Sequence, residues 1–181
     1  MTETVTTNTL EQLHVSREDV LHFFQNIPEY GLGFHGVRDA QKSIPGIMRK
    51  GLQPNLSSLY SYIIAPHADP DKSLAGEIKQ EDAEALALRL VKGIGLAVGV
   101  GIMDEWHTQP TALVFFDYPK LPNNIYEHEN SPFPSASSDV PQSNIRHIFV
   151  RQTKESKDSF ARRVVRLLLQ AKEPIIEEVR D

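Results

Sequence analysis

The 181-residue sequence predicts one mixed domain of the α/β or α+β class. Three observations predict it. Short apolar runs rich in β-branched and aromatic residues recur at 32–37, 59–65, 111–117 and 144–152. Stretches with apolar residues three and four apart lie between and around them. Hydrophobic residues make up 40% of the chain, enough to bury one real core.

Taken in order, residues 1–12, MTETVTTNTLEQ, are polar and Thr-rich and predict a disordered tail, with the domain over 13–181. Ser16 opens the first helix, and Asp19 three residues on suits a capping box. Val20, Leu21, Phe23 and Phe24 form its apolar face, and Pro28 closes it. LGFHGV, 32–37, predicts a short strand. Ile44, Ile47, Met48 and Leu52 then recur at helical spacing, with Gly51 as a natural end cap. LYSYIIA, 59–65, predicts a second strand, and HADPDKSLAG a loop.

Residues 81–106 predict one long helix. Its acidic start suits the positive helix end, and its Ala and Leu favour helix. Four glycines within it oppose helix, each by about 1 kcal/mol against alanine, and allow another element to pack closely. TALVFFD, 111–117, is the clearest strand. Residues 118–141 predict a long loop rich in Pro, Asn and Ser, of a length that often marks function or mobility. NIRHIFVRQ, 144–152, predicts another strand. Ser156 and Asp158 start the last helix, with Phe160, Val164, Val165, Leu167, Leu168 and Leu169 inward and Arg162, Arg163 and Arg166 on a solvated face.

Composition narrows the function. A net charge of −5 gives no general basic footprint for nucleic acid. With no cysteine, disulfides, thiolate metal sites and cysteine nucleophiles are excluded. The N-terminus does not read as a signal peptide, and no apolar stretch is long enough to span a bilayer. These features predict a soluble cytoplasmic protein without membrane partners.

Motifs narrow it further. GIGLAVG, 93–99, has the spacing of a dinucleotide phosphate loop, but such a loop must follow a strand, and a helical pattern precedes it here. His67, Asp69 and Asp71, and separately His128 and Glu129, lie close in sequence without a third ligand at helical spacing, so no metal site is expected. No Gly-x-Ser-x-Gly elbow occurs.

His35-Gly36 remains, inside a strand. A strand histidine is commonly a satisfied core residue. Its company argues for more. Gly36 lets a ligand approach the main chain, because no Cβ stands in the way. Tyr60 and Tyr62 on the second strand share one face at their i, i+2 spacing and offer rings for stacking. Together these suit a planar, amide-bearing ring.

From FHGVRDAQKSIPGIMRKGLQP through LYSYIIAP and PTALVFFDYP to DVPQSNIRHIFV, most of residues 32–150 resembles the ADP-ribosyltransferase-like superfamily. That superfamily includes mono-ADP-ribosyltransferases, poly-ADP-ribose polymerases and RNA 2'-phosphotransferases. The resemblance implies an α+β fold with a split, mostly antiparallel sheet gripping NAD. It implies that His35 hydrogen-bonds a ribose, that Gly36 offers its backbone to the nicotinamide carboxamide, and that Tyr62 or Tyr60 stacks on the nicotinamide. The implied activity is transfer of ADP-ribose to a macromolecular acceptor, protein or nucleic acid. That reaction breaks an N-glycosidic bond through an oxocarbenium-like transition state, which an anion stabilises. The family's late carboxylate falls at Gln142, Ser143 or Asn144, none of them acidic. Gln142 can hold a ribose hydroxyl but brings no full charge; Glu127 or Glu129 could substitute. The phosphotransferase branch fits less well, since an acidic chain suits a tRNA-sized partner poorly. The rival reading is a non-catalytic interaction module with a degenerate nucleotide cleft.

Overall fold

The computed structural model of the chain describes residues 8–53, 61–64, 82–101, 111–122, 125–126, 133, 135–136 and 138–179. Its strands are β1 (Leu32–Val37), β2 (Ser61–Ile64), β3 (Ala112–Asp117), β4 (Ile125–Tyr126), β5 (Ser135–Ala136) and β6 (Ile145–Val150). They form one six-stranded sheet in the order β4-β5-β2-β1-β3-β6. Every pairing in it is antiparallel. Helices α1 (Thr9–Leu13), α2 (Arg17–Gln25), α3 (Ala40–Lys50), α4 (Ala83–Gly101) and α5 (Lys157–Gln170) flank it. The molecule is thus α+β. The expected split is absent among the described strands, which join edge to edge.

Two cores lie on the two faces of the sheet. Alternation along β1 and β3 divides them, as the period of two requires. Leu32, Phe34, Leu113, Phe115 and Phe149 face α1, α2, α4 and α5. Val37, Ala112, Val114, Phe116 and Ile148 face the opposite way, where Ala40 and Ile44 of α3 cover them.

Local chemistry explains the helix ends. Ser16 Oγ accepts from the Asp19 amide and Asp19 Oδ2 from the Ser16 amide, each at 3.1 Å, so the capping box forms as the sequence predicts. Gly51 ends α3 at φ 75° and ψ −169°, a region essentially reserved for glycine. Its amide donates to the Ile47 carbonyl at 2.8 Å. A Cβ there would run into the Val140 carbonyl. The glycines of α4 act partly as expected: a Cβ on Gly93 would strike the ring of Phe133, which packs against the helix.

Three expectations are corrected. Residues 9–12 are not a tail but the body of α1. Glu84 of α4 accepts from the amides of Thr9 and Leu10 at 3.1 and 3.3 Å, so a residue 75 positions away caps this helix. The 118–141 segment contains β4 and β5. Arg163 is not on a solvated face: it donates to Glu155 Oε2 at 2.8 Å, to Glu177 Oε2 at 2.7 Å and to the Val150 carbonyl at 2.8 Å.

That arginine fastens the C-terminal segment along β6, the outer strand beyond β3. Ile148 donates to the Ile175 carbonyl at 2.8 Å, and Glu177 donates back to Ile148 at 2.9 Å. The Val150 amide donates to Glu177 Oε1 at 2.8 Å. The segment therefore covers part of a sheet edge that would otherwise present unpaired groups.

Candidate functional site

His35 and Gly36 lie in the second half of β1, both partly exposed. Among the described residues β2 pairs with the first half of β1, from Leu32↔Ile64 to Phe34↔Tyr62. His35, Gly36 and Val37 pair with Val114, Leu113 and Ala112 of β3. His35 shares its face with Val37 and with Val114 directly opposite, so it stands on the α3 side of the sheet.

Tyr62 stands on the other side. It lies directly opposite Phe34, and the two rings stack with centroids 5.1 Å apart and planes 21° from parallel. Directly opposed residues share a sheet face. Phe34 belongs to the helix-covered core, and Tyr62 packs partly buried against it. Burial pushes its phenol pKa above the ordinary value. The expectation that Tyr62 and His35 wall one hollow is therefore corrected. Tyr62 cannot stack on a ring held at His35 without crossing the sheet. Tyr60 lies outside the described residues.

The rings on the face of His35 come instead from β3 and its end. Gly33 shares that face, two residues before His35. A Cβ on Gly33 would strike the rings of Phe116 and Tyr118, which meet edge to face at 5.1 Å. Alternation of 114, 116 and 118 in the sequence carried that signal, which an emphasis on the tyrosines of the second strand obscured.

Gln142 follows the bridge that joins the first and last segments of the family resemblance. Leu52 donates to the Val140 carbonyl at 2.9 Å, and Val140 donates back at 2.8 Å. Pro141 and Gln142 then pass the end of α3. With its amide nitrogen turned toward the helix, Gln142 donates to the carbonyls of Met48 and Arg49 at 2.9 and 2.5 Å. Gln142 thus satisfies final carbonyls of α3, a structural task that leaves its nitrogen spent. Ser143 and Asn144 complete the 3-10 turn Gln142–Asn144. Asn144 Nδ2 donates to the Asp117 carbonyl at 2.8 Å. Glu127 and Glu129 lie outside the described residues.

Asp117 is the carboxylate near that turn. It lies opposite Leu32, at the far end of β1 from Gly36. Its Oδ2 accepts from Arg146 Nη2 at 2.7 Å, while the buried Oδ1 has no partner. Burial raises its pKa, and Arg146 offsets that only in part.

The remaining motifs resolve simply. Gly93 and Gly95 sit inside α4, so GIGLAVG does not follow a strand as a phosphate loop would. Among the described residues, no three His, Asp or Glu side chains group as metal ligands. His67, Asp69, Asp71 and His128 lie outside them. No helix of the described residues is long and apolar enough to cross a membrane. Compared with protein-family models, curated proteins and solved structures, the chain matches none.

Proposed function

We propose that this chain is an ADP-ribosyltransferase-like domain that binds NAD at His35, on the α3 side of its sheet, and at the adjoining main chain of Gly36. One observation carries the reading. His35, a partly exposed imidazole paired across from Val114, is followed at once by Gly36, a partly exposed stretch of main chain without a side chain. In support, the first and last of the segments that resemble the superfamily meet at the Leu52–Val140 bridge. In this reading the imidazole holds a ribose hydroxyl and Gly36 the carboxamide. Tyr62, on the other face, takes no part.

Binding, not turnover, is the core of the proposal. Cleaving the N-glycosidic bond builds positive charge on the ribose, and Gln142 offers no charge to meet it. Transfer to a protein or nucleic-acid acceptor would need a carboxylate from elsewhere in the chain. The competing reading, an interaction module, has its own support: Tyr62 and Gln142 are both occupied by structural contacts.

Equilibrium dialysis with labelled NAD separates these readings. Saturable binding that weakens roughly tenfold in His35→Ala supports the nucleotide site, since a lost hydrogen bond to a polar ligand group costs about 1–2 kcal/mol. Released nicotinamide would show turnover as well. No binding at millimolar NAD would leave the interaction module.

A further inference from the structure

A second hollow, unrelated to His35, opens on the helix-covered face. It lies between α2, α5 and the starts of β1 and β6, and encloses about 60 Å³. Its polar groups converge from separate elements: His22 and Asn26 from the end of α2, Arg146 and His147 from β6. Leu32 and Leu168 form part of its apolar floor. A space of that size exceeds the room a single water needs and admits a molecule of only a few heavy atoms.

The polarity of these groups can be read from their other bonds. His147 Nδ1 accepts from the Ile175 amide at 3.0 Å. An imidazole that accepts at Nδ1 must carry its proton at Nε2 when neutral, so the atom it has left to offer is a donor. Burial first, and the neighbouring Arg146 second, hold its pKa down to about 4, which keeps the ring neutral near pH 7. Arg146 gives one nitrogen to Asp117 and keeps other N–H groups. The ion pair fixes the guanidinium beside the cavity. Asn26 donates one of its two amide hydrogens to the His22 carbonyl at 2.8 Å.

We propose that this cavity binds a short-chain monocarboxylate. The Arg146 fork and the His147 Nε2–H hold the carboxylate, and the leucine floor takes a tail of one or two carbons. A guanidinium and a neutral N–H donor suit an anionic head, and the small apolar base excludes a long chain. Because Asp117 already neutralises Arg146, affinity is millimolar, not micromolar.

Propionate is the probe, titrated into the full chain near pH 7 at constant ionic strength, with ring resonances of His22 and His147 followed by NMR. Saturable shifts at millimolar propionate are expected, with none from propionamide or chloride. Asn26→Asp places a charge at the mouth and should weaken binding roughly tenfold by like-charge repulsion; the stability lost with its donation to the His22 carbonyl is read separately by urea unfolding. Arg146→Lys keeps a cation for Asp117 but loses the fork, and should weaken it as well. Shifts that rise linearly without saturation, that propionamide reproduces, or that persist unchanged in Asn26→Asp would overturn the proposal.

Discussion

Tyr62 stacks on Phe34 at 5.1 Å and lies directly opposite it, one residue out of phase with His35. That single step of register puts the phenol under the helices and the imidazole on the α3 face. Tyr62 is therefore part of a core, and its replacement should act on stability. Tyr62→Ala should cost about 2–3 kcal/mol, while Tyr62→Phe should cost less than about 1 kcal/mol. Urea unfolding measures both, and NAD affinity should be unchanged in Tyr62→Phe.

The junction of Gly51, Val140 and Gln142 carries a second prediction. Gly51→Ala forces a side chain into a glycine-only conformation and against the Val140 carbonyl, and should cost about 2 kcal/mol or more. Gln142→Glu replaces a donor by a charged acceptor facing the carbonyls of Met48 and Arg49 at a helix C-terminus. It should destabilise by about 1–2 kcal/mol, more than Gln142→Ala, in the same unfolding assay.

Stability should fall with acid as pH drops below the ordinary histidine pKa. His147 has its pKa lowered from 6.5 to about 4, by burial and then by Arg146. Between those values the unfolded chain binds more protons than the folded one, so stability rises with pH there and is lost as pH falls. The full effect is about 3 kcal/mol. Asp19, held down by the Ser16 amide, adds a loss of the same sign only in stronger acid. Burial works to raise Glu155, but hydrogen bonds from Arg163 and the Gln152 amide outweigh it, so its loss also belongs below pH 4.5. Asp117, raised by burial, works in the opposite sense. Over the window from pH 6.5 to 4.5 the comparison with His147→Asn separates the share of His147 from that of Asp117. Unfolding free energies across it should slope in the wild type and flatten in His147→Asn, which keeps an acceptor for Ile175.

Arg163 joins three parts of the chain through two glutamates and a β6 carbonyl. Its side chain is only 16% exposed. Arg163→Met removes the cation that bridges Glu155 and Glu177. It should cost about 3 kcal/mol and loosen the C-terminal segment first. Hydrogen exchange at Ile148 and Glu177, whose amides tie that segment to β6, should accelerate ahead of the core of β3.

Much of the fold was legible because its signals are local. The capping box at Ser16, the alternation in TALVFFD and the helical spacing before Gly51 each lie within a few residues and reappear as predicted. What failed was non-local. Spacing shows that Tyr60 and Tyr62 share a face but not which face, because that depends on the register between strands, and a slip of one residue inverts it. The α1 helix was missed because its cap, Glu84, lies in another helix. The role of Arg163 was missed because a row of arginines looks the same in sequence whether it faces water or two half-buried glutamates. In the candidate site, His35 and Gly36 keep their places on β1, and Gln142 has a structural partner that no linear motif announces.

The central claim is that His35 and Gly36 bind NAD. The most direct test is the melting temperature of wild type and His35→Ala across an NAD titration. Wild type should gain stability without limit as the logarithm of NAD, reaching roughly 2.7 kcal/mol at a hundred times the dissociation constant. His35→Ala should need about tenfold more NAD for the same gain. Superimposable curves for the two proteins, or no shift in either at millimolar NAD, would contradict it.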